Sequence, residues 1–114
     1  MAKYEQRLKG DFDQIVDRIE EGIKNGSVSA TLEGWSDFSA GNSRCAVRVF
    51  ERYSYIGGNR VSLNVTLFQH ADEPVYLSAI AAGGSQAFAF KINTFGEEAF
   101  LDKLKEITSK IPQA

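Results

Sequence analysis

Cysteine, histidine, proline and a surplus of charge are all scarce in this chain of 114 residues. It has one cysteine, one histidine, two prolines and a formal net charge of −2. A single cysteine excludes an internal disulfide framework. The small acidic net charge disfavours a dedicated nucleic-acid binder, which normally carries a basic excess. Because no apolar run approaches the roughly 18 residues of a membrane span and the first residues lack the apolar core of a signal peptide, we expect a cytoplasmic protein with neither a nucleic-acid nor a membrane partner.

Motifs that carry catalytic or cofactor chemistry are also missing. The GGS at 83–85 lacks the lysine and helix that a phosphate-binding loop needs, so it is interpreted as a hairpin turn. His70 lies near Asp72 and Glu73, but no nucleophile or second metal ligand stands at a suitable spacing, and we expect it on the surface. Glu51 is expected at a strand end or bulge. The sequence predicts no cofactor and no catalytic residue, and it favours a protein that is not an enzyme without deciding the matter.

What the chain has in quantity is alternation of apolar and polar residues, the period of a β-strand. Four such runs follow one another at 44–56, 60–70, 75–82 and 86–92. Short links rich in glycine, asparagine and proline join them and favour antiparallel neighbours. An earlier run at 27–38 alternates as well, with a bulge expected at Gly34. A short edge strand is expected at 2–9.

Two segments have the helical period instead. The first covers about 11–25, where Asp11 provides an N-cap, Phe12 begins an apolar stripe and Asn25-Gly26 is expected to end the helix. The second begins at Thr94, which forms a predicted capping box with Glu97, and it ends before Pro112. The predicted fold is therefore a single two-layer α+β domain over 1–114, in the order strand, helix, five antiparallel strands, helix.

Each strand must turn one row of side chains toward the helices. In 60–70 the apolar row is Val61, Leu63, Val65 and Leu67, and in 75–82 it begins with Val75 and Leu77. In 44–56 the row of Cys45, Val47 and Val49 is interpreted as the core side, so that Cys45 is a buried small hydrophobe. The even-numbered side chains of 44–52 and 62–70 are then expected to face away from both helices.

That outward face would combine cationic and aromatic side chains in a way that suggests a contact surface. The candidate binding residues are Arg44, Arg48, Phe50, Arg52, Phe68 and Tyr76. Guanidinium groups suit carboxylates and phosphates, and neighbouring exposed apolar residues, with Ile80 beside them, form a patch. Two explanations stay open for these apolar residues: a sheet-to-sheet homodimer, or a bend that folds part of the face over the core. The functional hypothesis is a non-enzymatic binding or interaction module that self-associates through this face.

An alternative hypothesis is a carrier of a small hydrophobic ligand. Its pocket would lie between the C-terminal helix and the sheet. The residues expected to line it are Tyr53, Tyr55, Phe88, Phe90 and Phe100.

Two resemblances add to these expectations. The order of elements, with a long C-terminal helix after a curved meander, resembles the helix-grip class, which includes the Bet v 1 and START-type lipid-binding domains and, more distantly, the halves of the TATA-box-binding protein. The segment 83–98, which reads GGSQ at its start and NTFGEE at its end, resembles a family of small uncharacterised bacterial proteins. That resemblance implies a bacterial source, and it transfers no site residues because the function of the family is unknown.

Overall fold

The strands and helices follow one another in the predicted order, and the strands form one sheet that packs against two helices. A computed structural model describes residues 1–26, 29–53, 60–83 and 90–114, the side chains of 90–95 excepted. The elements are β1 (Ala2–Leu8), α1 (Phe12–Gly26), β2 (Thr31–Ala40), β3 (Ser43–Tyr53), β4 (Arg60–His70), β5 (Val75–Gly83) and α2 (Phe90–Thr108). The strands form an open antiparallel sheet in the order β1-β5-β4-β3-β2. The α+β class and the order strand, helix, strands, helix are confirmed.

The predicted strand at 86–92 is the main departure in secondary structure. Its last residues, 90–92, belong to α2, and 86–89 lie outside the described residues. A short apolar run fits a buried strand and a buried helix equally well, so alternation alone does not separate them. The helix therefore begins before Thr94, and the predicted capping box is wrong. Glu97 instead accepts a hydrogen bond at 2.9 Å from the backbone N–H of Gly83, which ties the end of β5 to α2.

The core lies between the two helices and one face of the sheet. Helix α1 has an apolar stripe at helical spacing, as predicted, and α2 contributes residues one turn apart. The largest fully buried side chains of the helices and of β4 are Ile19, Ile23, Phe100, Leu101, Leu104, Val61, Leu63, Val65 and Leu67. Burying one such side chain stabilises the fold by roughly 1.5–3 kcal/mol. The face of the sheet that carries this core is called the helix face below, and the opposite one the outer face.

Local backbone features set the bounds of β2 and β3. The strands are joined by Gly41 and Asn42 alone, and Gly41 has a φ of 57°. Positive φ at the first position of a two-residue loop is the conformation for which glycine is favoured. The pairing of β2 with β3 shifts register between Leu32 and Gly34, which confirms the predicted bulge. Helix α1 ends at Gly26, as predicted, although Gly26 does not have a positive φ.

The two helices pack closely at Gly22. A Cβ atom added there would lie 2.6 Å from Cδ1 and 2.8 Å from Cγ1 of Ile107 in α2. Real Cβ atoms do not approach other carbon atoms so closely, and packing at protein density leaves little room to relax. The absence of a side chain at this position therefore sets how near α1 lies to α2.

We expect Gly22→Ala to destabilise the protein by about 1 kcal/mol, because overpacking that costs roughly 1–3 kcal/mol exceeds the helix-propensity gain of about 1 kcal/mol. In an Ile107→Ala background the same change should become stabilising, since the obstruction is gone. Gly26→Ala is the matched control, because nothing lies within 4 Å of the added atom. Urea unfolding followed by circular dichroism measures all of these variants. An unchanged sign in the Ile107→Ala background would refute the steric explanation.

Candidate functional site

The structure divides the six predicted binding residues between the two faces of the sheet. Arg48 pairs with Val65 and Phe50 pairs with Leu63, and directly opposed residues share a face. Phe50 is fully buried in the core. The expectation that even-numbered side chains turn away from the helices is therefore correct for β4 and wrong for β3.

The error has a definite cause in the register of the sheet. Tyr53 pairs with Arg60 across the β3–β4 connection, so odd-numbered residues of β3 share a face with even-numbered residues of β4. Both rows of β3 contain apolar residues, and the strand alone offers no decision between them. The long aliphatic stems of arginine pack on apolar surface while the charged heads reach the solvent. The number of residues in the β3–β4 connection decides which row of β3 faces the helices, and the alternation pattern does not fix that number.

The arginines of β3 hold the helices to the sheet. The guanidinium of Arg44 lies 4.5 Å from the ring centroid of Phe12 and contacts both carboxylate oxygens of Asp13, at 2.5 and 3.2 Å. That hydrogen bond lowers the pKa of Asp13 and raises the pKa of Arg44. The guanidinium of Arg52 lies 4.6 Å from the ring of Phe100 in α2. A predicted anion-binding row is thus occupied by contacts within the chain.

Arg48 is the most buried of these arginines, with 9% of its surface exposed. Its Nε donates to Glu20 of α1 at 2.9 Å, and its Nη1 donates to Asp37 of β2 at 2.9 Å. Burial alone would lower the pKa of Arg48, but the hydrogen bonds to the two carboxylates outweigh burial and raise it. The guanidinium stays charged, and it joins α1 to the two strands at one margin of the sheet.

The outer face carries a row of side chains that crosses all five strands. Register places Phe38, Cys45, Phe68, Tyr76 and Arg7 next to one another, on β2, β3, β4, β5 and β1. We call these five residues the cross-strand row. Phe38 is 64% exposed, Phe68 41% and Tyr76 43%. Neighbours in such a row stand about 5 Å apart, close enough to form one apolar patch.

A depression adjoins one end of the cross-strand row. It has a volume of about 430 Å³. Its lining includes Glu5, Arg7, Thr66, Phe68, Tyr76 and Ser78, which belong to β1, β4 and β5. Carboxylate, guanidinium and aromatic groups therefore meet at its rim.

Of the other residues singled out from the sequence, one stands as predicted and three do not. His70 is exposed and hydrogen-bonds Ser43 at 2.9 Å. Glu51 is not deeply buried, but it lies within β3 rather than at a bulge, and Arg60 contacts it at 2.9 Å. Cys45 is half-buried on the outer face, so its assignment to the core is wrong. Tyr53 is exposed on the same face, under the guanidinium of Arg60, which removes it from any pocket beneath α2.

Sequence reasoning missed three members of the cross-strand row: Cys45, which was assigned to the core, and Phe38 and Arg7. Phe38 follows the Gly34 bulge, which changes the phase of β2, and Arg7 lies in a strand whose alternation is weak. Both residues become visible only when the strands are aligned against one another. The predicted pocket residues Tyr55 and Phe88, and the side chain of Phe90, lie outside the described set.

The part of the chain that the structure describes offers no cluster of three histidine, cysteine, aspartate or glutamate side chains fit for a metal ion. Within the same ranges, neither helix combines the length and the apolar character that crossing a bilayer demands.

Comparison with known proteins identifies the family of this chain but assigns it no function. A family model matches residues 1–112 and is described as a family of unknown function, DUF6054. The chain belongs to this family. No curated protein and no solved structure gives a significant match. The resemblance to an uncharacterised family is thereby confirmed, and the family carries no function that would assign roles to the residues of the outer face.

We expect Arg48→Met to lower the free energy of unfolding by about 2 kcal/mol, because Glu20 and Asp37 then face each other without a cation. Arg48→Lys should cost about 1 kcal/mol, since an ammonium keeps the charge but not the fork that reaches both carboxylates. Arg18→Met on the other side of α1, whose hydrogen bond to a backbone carbonyl is 3.4 Å long, should change stability by less than about 0.5 kcal/mol. Urea titrations compare the three. An Arg48→Met variant as stable as the unmodified protein would show that the ion pairs contribute no net stability.

Proposed function

We propose that this protein is a non-enzymatic interaction module that self-associates by packing the outer face of its sheet against the outer face of a second copy. The supporting observation is the cross-strand row, whose aromatic members are exposed on a sheet face that neither helix covers. Patches of neighbouring apolar side chains on a protein surface mark contact sites more often than solitary ones do.

The size of the face supports this proposal. Five strands spaced by about 4.8 Å, with about 3.3 Å per residue, give a flat area of roughly 24 by 30 Å, or about 700 Å². A standard protein interface removes about 800 Å² from each partner. The face therefore has the dimensions of a complete dimer interface without help from the loops. Its charged residues lie toward its margins, with Lys3, Glu5 and Arg7 on β1, which matches the polar rim of known interfaces.

The order of the strands makes the cross-strand row complementary to itself. Strand β4 is the middle strand of the five, so a two-fold axis along β4 places β5 over β3 and β1 over β2 of the second copy. Phe68 then meets its own counterpart, Tyr76 meets Cys45, and Arg7 meets Phe38. Aromatic pairs and a guanidinium over an aromatic ring are favourable contacts. Phe68 at the centre is the expected hot spot.

The same arrangement gives the depression an occupant. Phe38 is the most exposed aromatic side chain of the row, and its counterpart Arg7 lines the depression beside Tyr76. The phenyl ring of one copy would enter the depression of the other at both ends of the interface. A head-to-tail contact between two copies, by contrast, would fill the depression of only one copy and leave the cross-strand row of the other copy exposed.

A bacterial source, a reducing cytoplasm and a helix-grip relationship belong to this proposal as well. They are supported by the sequence resemblance, by the single cysteine and by the order of the elements. The ligand-carrier hypothesis stays a prediction: Phe100 is fully buried and Tyr53 lies on the opposite face, so the two described side chains do not support it.

We expect Phe68→Asp to convert a dimer into a monomer, because it buries a charge at the centre of the interface. Sedimentation velocity from about 1 μM to about 300 μM covers the affinities expected of such an interface. Ala99→Asp, an exposed position on α2, adds the same charge and should leave the dimer intact.

The only cysteine provides an independent measurement. Cys45 lies in the cross-strand row, so its reaction with a maleimide should slow as the protein concentration rises, and in Phe68→Asp it should not. A wild-type protein that sediments as a monomer over the whole range, with labelling independent of concentration, would reject self-association through this face.

A further inference from the structure

The two edge strands of the sheet, β1 and β2, differ in whether other residues of the chain pair with their outer side. At β1, the C-terminal residues continue the sheet: Leu8 bridges Gln113, the N–H of Lys9 donates to Pro112 at 2.8 Å, and the N–H of Ala114 donates to Arg7 at 3.0 Å. At β2, the described residues place β3 on one side and no strand on the other. One edge is thus partly covered by the chain itself, and the other presents its backbone groups.

Strand β2 has few of the features that usually protect a free edge. It is ten residues long and contains no proline, lysine or arginine, which are the common means of blocking edge pairing. Its only irregularity is the bulge between Leu32 and Gly34, and the pairing from Gly34 to Ala40 is continuous. Seven residues of regular edge are therefore available to an additional strand.

Large aromatic side chains flank this edge on both faces. Register places Trp35 on the helix face, beside Arg48, and Phe38 on the outer face, beside Cys45. Trp35 is 66% exposed. A strand laid along the edge would cover both rings with alternate side chains, as in recognition by strand addition.

Charge indicates what kind of strand fits. Glu33 and Asp37 are the charged residues of β2; Asp37 binds Arg48 at 2.9 Å, and Glu33 lies 3.8 Å from Arg60. On the helix face, the contacts of Asp13 with Arg44 and of Glu20 with Arg48 show that this side of α1 faces the β2 margin. Asp17 shares that side because residues four apart lie on one face of a helix. Lys24 lies on it as well. The four acids at this margin, Asp13, Asp17, Glu20 and Asp37, outnumber the three cations Arg44, Arg48 and Lys24, so one negative charge is left in surplus.

We propose that β2 accepts an extended, positively charged peptide segment as an additional strand of the sheet. Backbone hydrogen bonds along Gly34–Ala40 would hold it, Trp35 would stack on its cationic side chains, and the carboxylates of α1 and β2 would select lysine and arginine. A second copy is the less suitable occupant, because it would bring the same acidic residues against each other. This surface is separate from the centre of the proposed dimer interface.

The only tryptophan of the chain reports on this edge directly. A blocked peptide of seven residues that alternates lysine with valine should change Trp35 fluorescence saturably. The same peptide with glutamate in place of lysine, or with N-methyl groups on alternate residues, should bind weaker by roughly tenfold or more, since one loses charge and the other backbone hydrogen bonds. Binding should also weaken as salt is raised.

Variants of the protein distinguish recognition of the peptide's charge from non-specific binding. Asp17→Asn with Glu33→Gln should weaken the lysine peptide several-fold, because two carboxylates near the edge are lost. Glu98→Gln with Asp102→Asn makes the same charge change on exposed positions of α2 and should have no effect. Phe68→Asp should retain peptide binding, which distinguishes this proposal from self-association.

Several results would overturn the proposal: equal binding of the lysine and glutamate peptides, equal binding of the N-methylated peptide, or no fluorescence change at all. A change in Trp35 fluorescence with protein concentration alone, in the Phe68→Asp variant that cannot dimerise through the outer face, would assign the edge to a second copy instead.

Discussion

The structure depends on the burial of one face of a five-stranded sheet beneath two helices. Every strand must direct apolar or neutralised side chains toward that layer, because a buried charge without a partner is costly. Strand β3 meets this requirement by turning Ala46 and Phe50 inward and by placing its arginines where the helices leave a margin. Stems of arginine complete the core, and carboxylates from α1 and β2 complete the charges. The same one-sided coverage leaves the opposite face to water or to another protein.

The sequence was sufficient for much of this arrangement and misleading at one strand. Helix α1 has a single apolar stripe, and strands β4 and β5 each have one row that is apolar throughout, so period and burial agree. Strand β3 has apolar residues in both rows, and its inward face is chosen by its neighbour β4 through the pairing of Tyr53 with Arg60. The strand predicted at 86–92, which contains Phe90, was wrong at its last residues for a related reason. A few apolar residues do not distinguish a strand from the first turn of a helix. The local pattern of residues predicted the secondary-structure elements well. It did not predict the register, because register is a property of pairs of strands.

The candidate surface changed in composition more than in location. Phe68 and Tyr76 remain exposed on the outer face, while the arginines expected beside them stabilise the helix layer. Their place is taken by Phe38 and Cys45, which no inspection of a single strand would group with Phe68. Strand β2 is where the proposed surfaces meet, because Phe38 belongs both to the cross-strand row and to the free edge. An occupant of the edge would therefore touch the border of a dimer, and a partner on either surface would alter the surroundings of the other.

The pairing of β1 with β5 has a consequence for the order in which the sheet is assembled during synthesis. Strand β1 leaves the ribosome before the other strands of this sheet, and its neighbour lies more than half the chain away, with Ala2 opposite Ala81. Hairpins β2–β3 and β3–β4 connect over short distances and are able to form early, whereas closure of a long loop is slow. Until β5 emerges, β1 has no place in the sheet, and the apolar stripe of α1 is held against an unfinished layer. Nascent chains would thus expose Leu8 and its neighbours until β5 has been synthesised, a period in which unpaired strands are most exposed to aggregation.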